Sequence, residues 1–268
     1  MGLLPASKNR NLFRFFSFSY IRFSFSYLII SAVFLLFYFP DSRGQHTKSL
    51  AADILYKYFS TLYGLDQNLV NGVKFYKSPE AVSGIEFFKD AKSSPGQISV
   101  NGIRYPDVFL KYDLVKQDVI LEYNYPPGGK MQIIIDKEKV TEFEIFEKTF
   151  KKYRFPSTGE HFFQTITVGD LVCLIYWTKI RVPSTSSMHY AYLYTEENRK
   201  TYLLIENQLY QFSGQRSFLN LFPEYKEEIK KFIRRHQLEI RNVSDGDLVR
   251  LLEYCHGLSS NIKADTSQ

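Results

Sequence analysis

The 268-residue chain has 34 Lys and Arg side chains against 28 Asp and Glu, which gives a formal net charge of +6. Residues 1–44 carry five of the basic side chains and one acidic side chain, so the rest of the chain has a net charge of only +2. A nearly balanced remainder lacks the basic surface that nucleic-acid binding requires, and we exclude nucleic acid as a partner.

The first 44 residues have the order of a secretory signal peptide. A cationic, aromatic segment leads into a mostly apolar, charge-free stretch over residues 27–39, and Ser42 and Gly44 supply small side chains before a cleavage point. At about 1.5 Å per helical residue the stretch covers about 20 Å, against about 30 Å for a hydrocarbon core. We predict a cleaved signal over 1–44 and a mature chain that begins at Gln45. An uncleaved anchor and a core helix are the alternatives.

Export sets the expected location. A cleaved leader places the mature protein in the periplasm, at the outer membrane or outside the cell, and a retained leader would anchor it to a membrane. The mature length fits a single strand-rich domain over 45–258, with C-terminal helices from about residue 217. A polar, disordered tail is expected over 259–268.

The mature chain is expected to open with a helix over residues 45–63, where apolar side chains recur at helical spacing, and Gly64 provides a stop. Residues 73–76 and 85–88 have the composition of short strands. Two of the turns that follow are specific, because Asn101-Gly102 and Gly169-Asp170 are typical of tight hairpins.

Short apolar segments with turn residues between them continue to residue 212, and this spacing favours a curved antiparallel meander, a sandwich or a partial barrel. A turn at 196–199 is expected to join two of these strands, 188–195 and 201–205. The complete set of predicted strands is 97–100, 105–114, 118–123, 131–135, 140–146, 162–168, 171–177, 188–195, 201–205 and 209–212.

The C-terminal part changes to helical spacing. Ser217 is expected to cap a short turn, and Pro223 suits the first position of the next helix. Ser244, with Asp247 three residues later, predicts the capped start of a last helix. Gly257 is expected to end that helix. The fold class is therefore mainly β (α+β), with an N-terminal helix and two C-terminal helices.

Several segments carry a resemblance: "NGIRYPDVFLKYDLVKQDVILEY" at 101–123, "NGVKFY" at 71–76, "GIEFF" at 84–88, and the ending "SFLNLFPEYKEEIKKFIRRHQLEI…DLVRLLEYC". Together they resemble a group of uncharacterised exported, strand-rich envelope proteins of Gram-negative bacteria. The resemblance covers most of the mature chain. It implies a signal peptide, a strand-rich body and two short terminal helices, and it implies no activity and no catalytic residues.

Cys173 and Cys255 are the two cysteines. Cys173 falls in an apolar strand pattern and Cys255 on the apolar face of the last predicted helix, which indicates two buried thiols. A disulfide between them is the alternative in an oxidising compartment. A reactive cysteine is a third interpretation, but no activating partner is evident.

Catalytic and metal chemistry has little support in the sequence. The histidines lack metal-ligand spacing on one helix, and His161 and His189 form a pair only if the sheet brings them together. Asp107 and Asp113 share a face of an unbulged strand, as paired hydrolase carboxylates would, but Asp113 and its neighbour Asp118 also have the character of turn formers. We predict no catalytic residue, no cofactor and no metal.

The tyrosines indicate a function more strongly than the histidines and the carboxylates do. Tyr190, Tyr192 and Tyr194 occupy alternate positions, so on a strand they share one face. Half-burial in a sheet would explain them, and so would an aromatic surface for a protein or glycan partner. The leading interpretation is a non-enzymatic envelope protein that binds a partner or has a structural role. A carrier of a lipid or other apolar ligand in a curved sheet, and a hydrolase, are the alternatives.

Overall fold

The structure is a computed structural model. The backbone is described at 54, 55, 58, 64–77, 80–124, 128–156, 158–185 and 189–265, and side chains are described to residue 258. The predicted signal peptide and most of the predicted helix over 45–63 lie outside the described residues; Ile54, Leu55 and Tyr58 are helical. The chain forms two compact units, Met1–Tyr58 and Phe59–Gln268, and the sheets and remaining helices belong to the second.

The second unit is mainly β, as predicted. Its body is an 11-stranded sheet in the order β1-β6-β5-β4-β3-β7-β8-β9-β10-β13-β14, in which all neighbours are antiparallel. These strands are β1 (Gly72–Lys74), β3 (Ser94–Val100), β4 (Ile103–Asp113), β5 (Asp118–Asn124), β6 (Lys130–Ile135), β7 (Val140–Ile145), β8 (Lys148–Phe155), β9 (Gly159–Val168), β10 (Leu171–Thr178), β13 (Asn198–Ile205) and β14 (Gln208–Phe212). A small second sheet contains β2 (Val82–Ser83), β11 (Arg181–Pro183) and β12 (Tyr192–Tyr194).

The link between β6 and β7 shows that the sheet is strongly curled. Three strands lie between β6 and β7 in the sheet, which is a distance of about 19 Å if the sheet is flat. The linking residues nevertheless form a tight turn, in which the Lys139 N–H donates to the Asp136 carbonyl oxygen at 3.0 Å. Such a turn spans less than about 7 Å, so β6 and β7 approach each other across the inside. The result is a partial barrel that is not closed.

Aromatic rings fill the concave side of this curl. Tyr112 on β4 and Phe162 on β9 are four strands apart in the sheet, yet their ring centroids are 6.2 Å apart. Phe143 and Phe150 stack between them at 4.9 Å. Phe88, from the segment before β3, packs edge-on against Phe150 at 5.4 Å. Burial of such rings is the main apolar contribution to the stability of this part of the sheet.

The conformations of two turns explain why one hairpin was predicted correctly and why one strand was missed. Asn101 and Gly102 have φ of 51° and 78°, as a two-residue hairpin requires, and the predicted turn between β3 and β4 is confirmed. Strand β8 was not predicted. It follows a turn in which Phe146 and Glu147 take φ of 50° and 59°. Residues other than glycine and asparagine rarely adopt this conformation, so nothing in the sequence marked the turn.

The expected pairing of residues 188–195 with 201–205 is wrong. The strand in this region is only β12, and it pairs antiparallel with β11 and parallel with β2 rather than with β13. Strand β13 instead pairs with β10 and β14. Residues 186–188 lie outside the described residues. The short alternating pattern was correct for a strand, but alternation does not identify the partner strand.

Helices cover one face of the last strands. A short helix, α1 (Gln67–Val70), precedes β1 in the chain and is not one of them. The covering helices are α2 (Gln215–Leu219), α3 (Lys226–Arg235) and α4 (Asp245–Asp265), with single 3-10 turns at Pro223–Tyr225 and Ile240–Asn242. Their apolar side chains pack on Cys173, Ile175 and Leu203 of the sheet. Among the described residues, no helix combines the length and apolarity needed to cross a membrane.

Of three predictions about the helices, one is confirmed and two need correction. Ser217 lies inside α2 rather than before it, and its hydroxyl accepts from the Gly214 N–H at 3.2 Å. Ser244 does cap α4, because its hydroxyl accepts from the Asp247 N–H at 3.1 Å. Gly257 does not end α4, which continues to Asp265 through most of the expected disordered tail. An interior glycine costs about 1 kcal/mol, which burial of the apolar face of α4 offsets.

A polar network joins the start of α4 to the sheet. The Asp245 carboxylate accepts a hydrogen bond from Gln164 at 2.6 Å, contacts the Lys148 ammonium, and lies 3.5 Å from the Arg199 guanidinium. Gln164 in turn accepts from the Trp177 indole N–H at 2.8 Å. These contacts lower the pKa of Asp245 against the opposing effect of burial. The network therefore fixes a charged helix terminus on the sheet.

Candidate functional site

The candidate site is a cavity of about 330 Å³ where the β4–β5 turn meets the small sheet. We call it the junction cavity. Three aromatic rings, two carboxylates and two cations surround it. Its lining residues are Phe75, Tyr76, Glu86, Asp113, Val115, Lys116, Arg181 and Tyr194. A concave site with a few convergent polar groups is the usual form of a small-molecule binding site.

The β4–β5 turn holds Asp113 in place. One oxygen of its carboxylate accepts from the N–H groups of Val115 at 2.8 Å and Lys116 at 2.9 Å, which is the turn-forming role expected for an aspartate at a strand end. Gln117 fixes the other side of the turn. Its amide donates to the Trp177 carbonyl oxygen at 3.1 Å, and its carbonyl accepts from the Tyr112 hydroxyl at 2.5 Å.

A buried lysine positions Glu86. Lys179 is only 8% exposed, and its ammonium donates to the carbonyl oxygens of Ile85 at 3.0 Å and Phe87 at 3.1 Å. These are the two residues on either side of Glu86. The Leu114 N–H donates to the Glu86 carbonyl oxygen at 3.0 Å, which docks this segment on the end of β4. The backbone that carries the Glu86 carboxylate is thus held from two directions.

The small sheet supplies the cation and the third ring. The Arg181 guanidinium lies 4.2 Å from the centroid of the Tyr192 ring and forms an ion pair with Glu80. Stacking on one side and pairing on the other hold the planar guanidinium in one orientation. Tyr194 lies two residues beyond Tyr192 on β12, on the same strand face, and lines the junction cavity directly.

Burial and the second carboxylate control the charge of Asp113. Asp113 is 2% exposed. Its pKa is raised, chiefly because burial disfavours the charged form, with a further increase from the nearby Glu86; the two backbone N–H groups and Lys116 act in the opposite direction. Burial and the same two carboxylates also raise the pKa of the Tyr194 hydroxyl. Within the part of the chain that the structure describes, no guanidinium forms an ion pair with Asp113.

The structure separates the three predicted tyrosines. Tyr192 supports Arg181 and Tyr194 lines the cavity, whereas Tyr190 precedes β12 and is 44% exposed. Tyr192 and Tyr194 lie on the small sheet and not on the main one. A second group of tyrosines shares a face of the main sheet, where Tyr176 and Tyr202 pack on Phe163. The role of the predicted tyrosines in binding stays a prediction.

The catalytic pairs considered from the sequence do not gain support. Asp107 is exposed and lies at a bulge, with φ of 53°, six residues from Asp113. Six residues of strand span about 20 Å, whereas paired glycosidase carboxyls are about 5–9.5 Å apart. His161 lies on β9 of the main sheet, where its ring contacts Tyr176 at 4.9 Å, and His189 lies in the segment before β12. The hydrolase hypothesis therefore loses the carboxylate pair, whereas the pairing of His161 with His189 stays a prediction.

Both cysteines are buried in the core between the sheet and the helices, and both are free. Burial raises the pKa of each thiol to about 12. A thiol with such a pKa is a poor nucleophile and a poor metal ligand at neutral pH. Over the described ranges, no group of three or more His, Cys, Asp or Glu side chains is arranged to hold a metal ion.

Comparisons of the chain with protein-family models, curated proteins and solved structures gave no match. The functional interpretation therefore depends on the geometry of the junction cavity. Sequence reasoning found Asp113 and Tyr194 but missed Glu86, Lys179 and Arg181. The one sequence sign of Lys179 is a cation two residues after the apolar strand 171–177, which is a weak signal because strands commonly end at charged residues.

Proposed function

We propose that the protein is an exported envelope protein that binds a small saccharide in the junction cavity without chemically changing it. The observation that supports this most is the combination of rings, carboxylates and a stacked guanidinium around one cavity. The apolar face of a sugar ring packs on aromatic side chains, its hydroxyls donate to carboxylates, and they accept from guanidinium N–H groups.

The size of the cavity favours a saccharide over the other partners considered. About 330 Å³ is at the lower end of small-molecule sites, which run from about 300 to 1,000 Å³. It holds one or two sugar rings but not an extended peptide. A protein partner would need a surface of about 800 Å² on each side. Tyr194 belongs to the wall of the cavity rather than to a flat exposed patch.

The lipid-carrier alternative has less support. The concavity of a curved sheet would be the place for an apolar ligand, but packed rings fill that side between β4 and β9. The junction cavity is lined by four charged side chains, Glu86, Asp113, Lys116 and Arg181. A lipid chain would leave these charges without water or a partner. Lipid bound in native mass spectra of the purified protein would contradict this conclusion.

An array of immobilised mono- to tetrasaccharides tests the proposal, with protein purified from the envelope fraction of cells that express the full chain. We expect binding to a defined set of glycans and a loss of at least about tenfold in Tyr194→Ser, because a central ring carries a large share of such binding. Tyr210→Ser is the matched control. Tyr210 is a 40% exposed tyrosine on β14, outside the cavity. Binding of no glycan, or equal binding by Tyr194→Ser, would overturn the proposal.

The same samples test the non-enzymatic part. Glu86 and Asp113 line one cavity, which is the arrangement that a hydrolase would use. We expect mass spectra of bound glycans to show no shortened product after long incubation. A shortened product that Glu86→Gln prevents would make the protein an enzyme.

Export is tested separately, by the N-terminal sequence and intact mass of the protein from fractionated cells. A soluble envelope species that begins at or near Gln45 supports a cleaved signal peptide. A full-length species in the inner membrane would show that the leader is an anchor.

A further inference from the structure

A second cavity lies beside the junction cavity and has a different character. It has a volume of about 160 Å³, and we call it the lysine cavity. Its lining includes Lys116, Gln117, Lys137, Lys152, Glu160 and His161. The turn between β4 and β5 separates the two cavities, and the Lys116 side chain lines both of them. A ligand in the first cavity can therefore extend into the second past Lys116.

Positive charge dominates the lysine cavity. Its one lining carboxylate, Glu160, is already neutralised, because the Arg154 guanidinium lies 2.7 Å away and the Lys152 ammonium 3.4 Å away. These contacts lower the pKa of Glu160 and keep it ionised. Among the described residues, neither Lys116 nor Lys137 has a carboxylate within ion-pair distance. The Asp118 carboxyl interacts electrostatically with both lysines, and that of Asp113 interacts with Lys116.

One cation of the lysine cavity, Lys152, is held in place before any ligand arrives. The Lys152 ammonium donates to the carbonyl oxygen of Lys137 and lies over the Phe162 ring at 5.7 Å. Lys116 belongs to the turn that Gln117 fixes to Tyr112 and Trp177. His161 faces the Thr158 carbonyl oxygen with Nε2 at 2.6 Å, so Nε2 carries the proton of the neutral ring. A pre-arranged ammonium with two further lysines beside it favours a compact anion over a neutral group.

We propose that the saccharide bound in the junction cavity carries a phosphate or sulfate group, which occupies the lysine cavity. This inference rests on the proposed function and specifies its ligand class as an anionic sugar. The ring contacts Tyr194 and Tyr76, Lys116 bridges the two cavities, and Lys137 and Lys152 bind the anion. The volume of the lysine cavity is sufficient for one tetrahedral oxyanion.

The test uses a glycan array in which every neutral sugar has a phosphorylated or sulfated counterpart, followed by calorimetric titration of the best pair and of inorganic phosphate and sulfate. We expect the anionic sugar to bind at least about tenfold more tightly than its neutral counterpart. Raising the salt concentration is expected to reduce this difference. Lys137→Gln is expected to bring the anionic sugar to the affinity of the neutral one. The matched control, Lys230→Gln on exposed α3, is expected to change neither.

The outcomes separate this inference from the proposed function. Equal affinities for neutral and anionic sugars, or an unchanged preference in Lys137→Gln, would overturn the inference and leave saccharide binding intact. Loss of both sugars in Tyr194→Ser supports both proposals. Binding of no sugar would overturn the proposed function. Binding of inorganic phosphate as tightly as the sugar ester, unaffected by Tyr194→Ser, would show a free-anion site and overturn the link between the cavities.

Discussion

Two aspartates at different places on the same sheet have opposite surroundings. Asp245, at the start of α4, is partly exposed and touches Lys148, Gln164 and Arg199. Asp113, in the junction cavity, is buried and has backbone N–H groups as its direct partners. The pKa of Asp245 is lowered and that of Asp113 is raised. The first carboxylate is placed where ionisation stabilises the fold, and the second where ionisation destabilises it.

This difference separates a carboxylate with a structural role from one that the proposed function uses. An asparagine at 113 could form the same turn, because its side-chain oxygen accepts the same two N–H groups. A buried acid that an amide could replace in its turn is typical of a residue retained for binding. Binding and active sites commonly contain residues that lower the stability of the fold. No such substitution is open at 245, because Lys148 and Arg199 need the negative charge.

The largest expected effect comes from removing the structural charge. Asp245→Ala leaves Arg199 and Lys148 without their shared carboxylate, and we expect a loss of about 2–3 kcal/mol in the free energy of unfolding. Denaturant unfolding at pH 7 measures it. Glu227→Ala, an exposed carboxylate in an i,i+3 pair with Lys230 on α3, is the control and should change stability by less than about 0.5 kcal/mol. Equal losses of stability in the two variants would show that Asp245 contributes no more to the fold than an exposed carboxylate does.

Lys179→Met should have the next largest effect on stability. It should also weaken binding in the junction cavity, which Asp113 lines. The variant keeps the apolar stem but leaves the carbonyl oxygens of Ile85 and Phe87 without a donor, which costs about 1–3 kcal/mol. Glu86 is then less well held, so saccharide affinity should also fall. Lys230→Met, on an exposed face, should alter neither property. A loss of stability with unchanged affinity would show that Lys179 supports the fold but does not position Glu86.

Asp113→Asn is expected to change stability in the opposite direction from Asp245→Ala. Removing a buried negative charge while keeping the turn should raise the free energy of unfolding at pH 7 by about 0.5–1 kcal/mol. Saccharide affinity should fall by about tenfold, because a charged acceptor becomes a neutral one. A destabilised variant would show that the ionised form of Asp113 contributes to the fold.

The smallest expected effects are changes with pH in the free energy of unfolding that depend on Asp245 and Asp113. The pKa of Asp245 is lowered in the folded state, so its contribution is present above the unfolded value of about 3.9 and is lost as the pH falls through the folded value. The pKa of Asp113 is raised, so its contribution is present below about 3.9 and is lost as the pH rises through the folded value. The stability gain of Asp113→Asn should therefore vanish near pH 3. Unfolding curves from pH 3 to pH 7 would show a constant gain if Asp113 does not titrate in this way.

Much of the fold followed from local patterns. Alternating apolar residues and the Asn101-Gly102 and Gly169-Asp170 turns predicted most strands of the main sheet, because hairpin register depends on nearby residues. Strand β8 was missed because Phe146 and Glu147 form a turn without turn-favouring side chains. The end of α4 was misplaced because burial of its apolar face outweighs one unfavourable glycine.

The candidate site was less predictable, because its parts come from distant segments. Asp113 was identified as a turn former and Tyr194 as part of an aromatic face, but they lie about 80 residues apart in sequence. Their meeting depends on the parallel pairing of β12 with β2 and on Lys179, which docks residues 85–87. None of these contacts leaves a periodic signal in the sequence.

The central position of β3 also constrains the order in which the protein folds. Strands β4, β5 and β6 follow β3 in the chain and can add to it one hairpin at a time, whereas β7 must return to the opposite side of β3. Closing that long loop is slow until the β4–β6 meander has formed and shortened it. Gly96 lies at this junction, where the Glu144 carbonyl oxygen leaves no room for a Cβ atom. The chain would therefore fold in two stages, with the docking of β7 on β3 as the slow step.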